Sequence, residues 1–264
     1  MICMARSPIS AFRLAFAWRT DQGRVRKRNE DAVLVDSAWG LVVVADGVGG
    51  ARAGDVASRL ATETIADRFR RQAMPRDDAE KALLFVEAAV AEANITIWRH
   101  AKGERDLAGM GTTVVVGSIG WDWLVLAHVG DSRIYRLREG YFEQLSRDHS
   151  FIQEVVDQGF FASREDAKRY GIGENILTRA LGSSPVVEIA SDVVELNAGD
   201  LFLFCTDGLT GMISDDWMRQ ILMSVKENSL DSAADALIRI ANERGGNDNI
   251  TLALIQVGER LPTE

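Results

Sequence analysis

The sequence predicts an α+β protein: two stacked, mostly antiparallel sheets with a helix pair on the outer face of each. Three observations carry this. Short apolar runs separated by glycine-bearing turns recur between residues 112 and 145, at the spacing of hairpins. Two stretches, 55–97 and 214–241, change to helical period and place a helix pair toward each end of the chain. At 264 residues with four prolines, no Ser/Gly linker and no repeat of solenoid period, a single domain over residues 11–258 accommodates all of it.

Residues 1–10 show no periodicity and are expected as a loose end. Phe12, Leu14, Phe16 and Trp18 alternate with Arg13, Ala15, Ala17 and Arg19, a strand with one buried face. Residues 20–31 are densely polar, with Arg24, Arg26, Lys27 and Arg28 before Glu30 and Asp31, and taken alone read as a solvated turn. Ala32 to Val35 is a strand, Ser37 and Gly40 turn it, and Leu41 to Ala45 returns as the next.

Beyond Gly54, residues Val56, Leu60, Ile65 and Phe69 share one helix face, with Asp55 near the positive N-terminal end. Met74-Pro75 breaks that helix. Asp77 or Asp78 can cap a second, striped by Leu83, Val86, Val90, Ala93 and Ile97. Residues 101–110 read as a loop. Strands follow at 112–119, 123–128, 133–137 and 141–145 as one antiparallel run, with Trp121 and Trp123 packing an edge at a turn.

Regularity weakens from 146 to 182. Short helices around Phe151 to Val156 and Ser163 to Tyr170 suggest an inserted lobe, mobile relative to the core. Strands at 186–196 and 201–205 come next. Ser214 then caps a helix carrying Trp217, Met218, Ile221, Leu222 and Val225 on one face. Leu230, Ala234, Leu237, Ile238 and Ala241 form the last helix, stopped by Gly245-Gly246. Residues 250–257 close as a strand and 259–264 are a loose end.

A net charge of −9 excludes a nucleic-acid binder that relies on a broad basic surface. That charge fits a cation-binding cluster or simple solubility equally. Cys3 and Cys205 offer no disulfide framework and fit a reducing compartment, with Cys205 a small buried hydrophobe. No apolar run approaches the roughly 20 residues that span a bilayer, and no signal peptide is recognisable. A cytoplasmic protein with neither nucleic-acid nor membrane partner is expected.

The chemistry lies at strand ends. Leu41-Val42-Val43-Val44-Ala45-Asp46-Gly47 delivers a carboxylate at the tip of an apolar strand, beside glycines that leave the backbone uncovered. Leu201-Phe202-Leu203-Phe204-Cys205-Thr206-Asp207-Gly208 nearly repeats it. Asp131 follows Gly130, and Asp248 precedes the closing apolar run. Such carboxylates, with Glu30-Asp31, repel one another unless protonated or neutralised. They ask for a shared cation. His100, His128 and His149 share no zinc-type spacing, so the oxygen-only donor set selects Mg²⁺ or Mn²⁺. Two such ions about 3.5–4 Å apart can share an Asp and a water whose pKa falls from about 15.7 toward neutrality. A phosphoester is the natural electrophile, and Arg26 is the arginine placed to fork its oxygens, unless it is part of a solvated basic turn. In isolation, Asp131-Ser132-Arg133 could also be a plain turn with an ion pair, the less favoured reading. Asp148 and Arg179 read as structural.

The ordered motifs Arg26-x-x-Asn29-Glu30-Asp31, Ala45-Asp46-Gly47-Val48-Gly49-Gly50, Gly54-x-x-Ala57-Ser58, Gly111-Thr112-Thr113, Gly130-Asp131-Ser132-Arg133, Asp148-His149-Ser150, Leu177-Thr178-Arg179-Ala180-Leu181-Gly182, Thr206-Asp207-Gly208-Leu209 and Asp248-Asn249-Ile250-Thr251 resemble those of the metal-dependent (type 2C) serine/threonine protein phosphatases, bacterial branch. Any one motif is weak; together they cover roughly residues 11–258.

The resemblance implies a four-layer α/β/β/α sandwich, a flap at 146–182, and two Mn²⁺ or Mg²⁺ ions between the sheets. By matching position, Asp46 would bridge both ions, with its metal-bridging water as nucleophile, and the Gly47 carbonyl would bind one ion. Asp207 and Asp248 would complete a shell, Glu30 would hold metal-bound water and Asp31 would support it. Asp131 with Asp207 would form a third, weaker position, and Arg26 would receive the phosphate. The implied activity is hydrolysis of phosphoserine and phosphothreonine in protein substrates, opposing a separately encoded Ser/Thr kinase, by a protein expected to be a monomer.

Two departures stand out. Val48 occupies a position where many eukaryotic members carry a histidine proposed as general acid, and Tyr170-Gly171-Ile172-Gly173 lacks the His-Pro common in bacterial relatives. The first leaves the proton donor unnamed, and the second leaves flap conformation and substrate preference open. Rival readings are a catalytically silent phosphoprotein-binding module, disfavoured by the full Asp set, and a two-metal phosphodiesterase or nuclease, disfavoured by the acidic balance.

Overall fold

Strand β3 (Leu41–Val48) shows how the layers are stacked. Leu41, Val43 and Ala45 belong to one apolar cluster, while the alternating Val42 and Val44 belong to another, and all five are buried. A strand buried on both faces has a layer on each side. β10 (Leu201–Cys205) repeats this, with Leu201, Leu203 and Cys205 facing one cluster and Phe202 and Phe204 the other. The shared middle cluster is the sheet-on-sheet core. These features come from a computed structural model that describes residues 9–49, 53–173, 176–225 and 230–262, apart from the Arg105 side chain.

One sheet runs in the order β1 (Phe12–Asp21), β11 (Ile250–Arg260), β10, β7 (Arg133–Arg138), β8 (Tyr141–Gln144). The other runs β2 (Asp31–Asp36), β3, β5 (Val114–Ile119), β6 (Trp123–Val129), β9 (Ala190–Glu195), and the short β4 (Gly111–Thr112) also pairs with β3. Every pairing is antiparallel. Phe204 lies over Gly117, where a Cβ would overlap its ring, so the sheets approach most closely where one of them has no side chain.

The expected layers are present. α1 (Ala53–Arg71) and α2 (Ala79–Gly103) cover the β3 sheet, and their helix–helix contact includes an edge-to-face pair of Phe69 and Phe85 with ring centres 5.0 Å apart. Asp78 caps α2, accepting from the Lys81 N–H at 3.0 Å. α6 (Asp215–Met223) and α7 (Leu230–Glu243) cover the other sheet, and Arg19 of β1 ties α7 down through Asp231 and Asp235. Residues 146–182 hold α3 (Phe151–Asp157) and α4 (Arg164–Arg169) around a small cluster of Ile152, Val155 and Ala167. Among the described residues no helix is long and apolar enough to cross a membrane.

Several expectations need correction. Residues 1–8 lie outside the described residues, but Ser10 is buried and donates to the Trp121 carbonyl, so it is not loose. Glu259 and Arg260 belong to β11 rather than to a loose end. Trp18 is 47% exposed because β1 is an edge strand, and Trp217 is 47% exposed with Arg244 over its ring. α2 continues to Gly103 into what was expected as a loop, and residues 186–189 are not strand. Ser214 precedes α6 without a side-chain cap bond. The 112–145 strands do not form one sheet: the chain crosses from β6 to β7 through Gly130–Ser132, and 112–119 is interrupted at Thr113. One short helix, α5 (Asp207–Thr210), was not anticipated.

Removing the inter-sheet ring tests this packing. Phe204→Ala is expected to lower the unfolding free energy in urea by about 3–5 kcal/mol at unchanged m, whereas a loss under about 1 kcal/mol would contradict a close-packed middle layer.

Candidate metal centre

Pairing register brings the acidic strand ends to one end of the sandwich. Asp31 opens β2 directly opposite Asp46 near the end of β3. Asp207 follows β10, whose antiparallel neighbours are β7, preceded by Asp131, and β11, preceded by Asp248. The result is a pocket of about 210 Å³ lined by Arg26, Glu30, Asp46, Gly47, Asp131, Asp207 and Asp248, with Val48, Gly49, Thr113, Leu177 and Asn249 completing the wall. Asp31 stands behind it, accepting from Thr206 Oγ1 at 2.9 Å.

Backbone clamps hold the acids in place. The Asp46 N–H donates to Thr113 Oγ1 at 3.0 Å, and the Asp46 carbonyl accepts from the Thr113 N–H at 2.9 Å and Thr112 Oγ1 at 2.8 Å. The break between β4 and β5 therefore falls where a threonine hydroxyl is needed beside Asp46. Asn249 accepts from the Glu30 N–H at 2.8 Å and donates to the carbonyls of Gln22 and Arg28 at 2.9 and 2.7 Å. Ser58 of α1 donates to the Glu30 carbonyl at 2.6 Å. Gly54 is required by close approach, since a Cβ there would stand 2.7 Å from the Gly47 carbonyl oxygen and 2.8 Å from Glu30 Oε2.

The electrostatics record the crowding. Burial, reinforced by Asp31, Asp207, Asp131 and Asp248, pushes the Asp46 carboxyl well above its ordinary range. Burial pushes Asp31 to about 7, with hydrogen bonds from Thr251 and Thr206 opposing and the charges of Asp207 and Asp248 reinforcing. Asp131 also rises to about 7, first through burial and then through Asp207 and Asp148. Asp207 is raised by burial and Asp248, and lies within hydrogen-bonding reach of Asp46. Glu30 is raised by burial and by Asp55. Arg26 Nη2 donates to Asp248 Oδ2 at 2.6 Å, which strengthens its own protonation.

The residues fit a hard divalent cation by chemistry and charge. Every converging donor is an oxygen. Asp31 Oδ1 and Asp207 Oδ1 are buried without a hydrogen-bond partner among the described residues, an expense that an ion would remove. Among those residues, though, no group of three or more His, Cys, Asp or Glu is arranged to hold an ion as it stands. Asp248 is bonded to Arg26, and full ligation would need that carboxylate to turn. Side-chain rotation alters that spacing cheaply, whereas the placing of the acids is set by the strands.

Three supporting roles escaped the sequence. Thr113 and Asn249 lie in motifs noticed above, but nothing local shows what they bond. Asp55, expected only to complement a helix end, has a buried oxygen with no partner among the described residues and acts on Glu30. Asp148 and Arg179 do stand apart from the carboxylate pocket. Asp148 is buried and accepts from Arg133 at 2.8–3.1 Å, from Gln144 at 2.8 Å and from Arg164 of α4, pinning the inserted lobe to β7. Arg179 pairs with Glu188 and meets His149 at 3.2 Å. A larger groove of about 630 Å³ shares Asp131 and Asp207 with the pocket and runs between α4 and the start of α6.

A family model described as Protein phosphatase 2C matches residues 22–254. The serine/threonine phosphatase stp of Listeria innocua is 40% identical over 242 residues, 90% of this chain and 94% of that protein. The crystal structure of the Mycobacterium tuberculosis serine/threonine phosphatase PstP/Ppp superposes with a TM-score of 0.83 at 35% identity, covering 93% of this chain and 99% of the other. The catalytic domain of PstP in complex with two manganese ions superposes with a TM-score of 0.81 at 35% identity, with the same coverage.

Asn249→Ala removes the acceptor of the Glu30 N–H and two donors at once. It is expected to weaken Mn²⁺ binding, measured by calorimetry, by about 10–100-fold; unchanged affinity would mean that this clamp does not position the acids.

Proposed function

The chain belongs to the protein phosphatase 2C family and is a protein serine/threonine phosphatase, and we propose that it hydrolyses phosphoserine and phosphothreonine monoesters at the carboxylate pocket. The observation that carries this reading is the convergence of Asp46, Asp207, Asp131 and Asp248 beside Arg26 in one small cavity. The family is metal-dependent. Asp46, the Gly47 carbonyl, Asp207 and Asp248 would hold two Mn²⁺ or Mg²⁺ ions, Glu30 and Asp31 would support them, and Asp131 with Asp207 would offer a third, weaker position. When bound, such ions make water a nucleophile near neutral pH and neutralise phosphoryl charge.

The protein's own groups do the rest. Arg26, bonded to Asp248 at the pocket wall, would be released as that carboxylate turns to an ion, leaving its planar fork to hold two phosphate oxygens and orient the phosphoryl group. Thr206 keeps Asp31 facing the site from behind, and Thr113 keeps Asp46 from swinging with its backbone. Val48 lines the wall but has no proton to give, so protonation of the leaving alkoxide does not come from that position. Phosphoproteins are the substrates. We further propose that residues 11–258 work as a single domain, that the protein acts as a cytoplasmic monomer, and that a separately encoded Ser/Thr kinase supplies its substrates.

With Mn²⁺, p-nitrophenyl phosphate and a phosphothreonine peptide are expected to be hydrolysed, and bis(p-nitrophenyl) phosphate is not. EDTA, Asp46→Asn and Asp207→Asn are each expected to abolish turnover; a wild-type rate in either variant would refute the metal assignment. Arg26→Ala is expected to lower kcat/KM for the monoester by about 10–100-fold, the worth of a lost charged hydrogen bond, and an unaltered value would remove Arg26 from the site.

A further inference from the structure

The protein carries a net charge of −9, yet Arg24, Arg26, Lys27 and Arg28 stand together on the loop that forms one wall of the carboxylate pocket. Arg26 is bonded to Asp248. The side chains of Arg24, Lys27 and Arg28 are exposed and make no ion pair or hydrogen bond among the described residues. The backbone beneath them is firmly held. The Arg24 N–H donates to the Gly246 carbonyl at 2.7 Å, Gln22 Nε2 donates to the Arg26 carbonyl at 2.7 Å, and Asn249 grips the Gln22 and Arg28 carbonyls. Three exposed cations, unpartnered among the described residues, are therefore carried on a fixed frame in the same stretch of chain as Arg26 and Glu30, which line the pocket. Arg28 is near enough for its charge to act on Glu30 inside the pocket.

We infer that Arg24, Lys27 and Arg28 form a docking rim for acidic residues flanking the phosphorylated serine or threonine, making acidic phosphopeptide segments the preferred substrates. The inference rests on the phosphatase reading of the pocket and names a substrate class within it. A phosphate seated on Arg26 brings its neighbouring residues past Lys27 and Arg28. On so acidic a protein, an acidic segment would otherwise be repelled on approach. The rim is one short loop beside a small pocket, which suits a peptide better than a nucleic acid or a membrane face. Each exposed ion pair alters affinity by no more than about fivefold and is screened by salt.

The test compares fluorescein-labelled phosphothreonine peptides with Glu, Ala or Lys flanks, using wild-type enzyme and an Arg24→Gln/Lys27→Gln/Arg28→Gln variant that leaves Arg26 intact. In wild type with Mn²⁺ at low salt, the Glu-flanked peptide is expected to show a KM about tenfold below the Ala-flanked one at similar kcat, the advantage fading at high salt. The variant is expected to lose this discrimination, and Arg24→Gln/Lys27→Gln, which keeps the Arg28 charge beside Glu30, is expected to lose most of it while hydrolysing p-nitrophenyl phosphate as wild type does. Equal KM values in wild type, or discrimination that survives in the variant, would overturn the rim. So would peptide-blind kinetics together with rim-dependent co-sedimentation on phosphatidylserine vesicles. Because p-nitrophenyl phosphate has no flanking residues, its hydrolysis reports the pocket alone. Failure to hydrolyse it, with Glu-selective binding still seen by fluorescence anisotropy, would sink the phosphatase reading and support the rim.

Discussion

The structure depends on one electrostatic constraint: carboxylates from distant parts of the chain are packed, partly buried, at one end of a sandwich where they repel each other. Asp31, Asp46, Asp131 and Asp207 are all pushed toward the protonated form, with burial the leading cause in each case and neighbouring acids adding to it. Left to itself a chain would separate such groups or solvate them. Here each is fixed at a strand margin whose register is set by an apolar core on both sides, so the acids cannot retreat without unpairing strands. Stability from burial elsewhere offsets strain concentrated at the site.

The surrounding architecture follows from holding that arrangement. Two sheets are needed because Asp31 and Asp46 come from one, Asp207 and Asp248 from the other, and Asp131 from the crossover between them. The glycine contact between Gly47 and Gly54 lets the start of α1 press against the end of β3, which places Ser58 on the Glu30 carbonyl. Asp148 performs the same kind of service at the inserted lobe. Its arginine partners neutralise it so fully that its carboxyl is held below the usual range despite burial, the opposite of Asp31, Asp46, Asp131 and Asp207. The contrast separates a charge kept for structure, which is given cations of its own, from Asp31, Asp46, Asp131 and Asp207, to which no arginine is bonded among the described residues.

Much of this was legible in the sequence because the strongest signals are local. An apolar run followed by Asp-Gly identifies Asp46 and Asp207, and helical period identifies α1, α2, α6 and α7. What was not legible depends on contacts remote in sequence. Alternation showed which residues of β1 share a face but not that β1 is an edge strand, so Trp18 was placed in a core it only borders. Four tightly spaced strands read as one sheet, because hairpin spacing does not reveal that Gly130–Ser132 carries the chain from one sheet to the other. Thr113 bonds a residue 67 positions away and Asn249 one 219 positions away, and such bonds leave no periodic trace.

Anomalous diffraction at the manganese edge, from crystals grown with MnCl₂, tests the central claim most directly. The account predicts a pair of peaks about 3.5–4 Å apart, bounded by the carboxylates of Asp46, Asp207 and Asp248 and the Gly47 carbonyl, with Asp248 turned from Arg26 toward the ions. A map with no peak in the pocket, or with manganese bound only elsewhere, would contradict it.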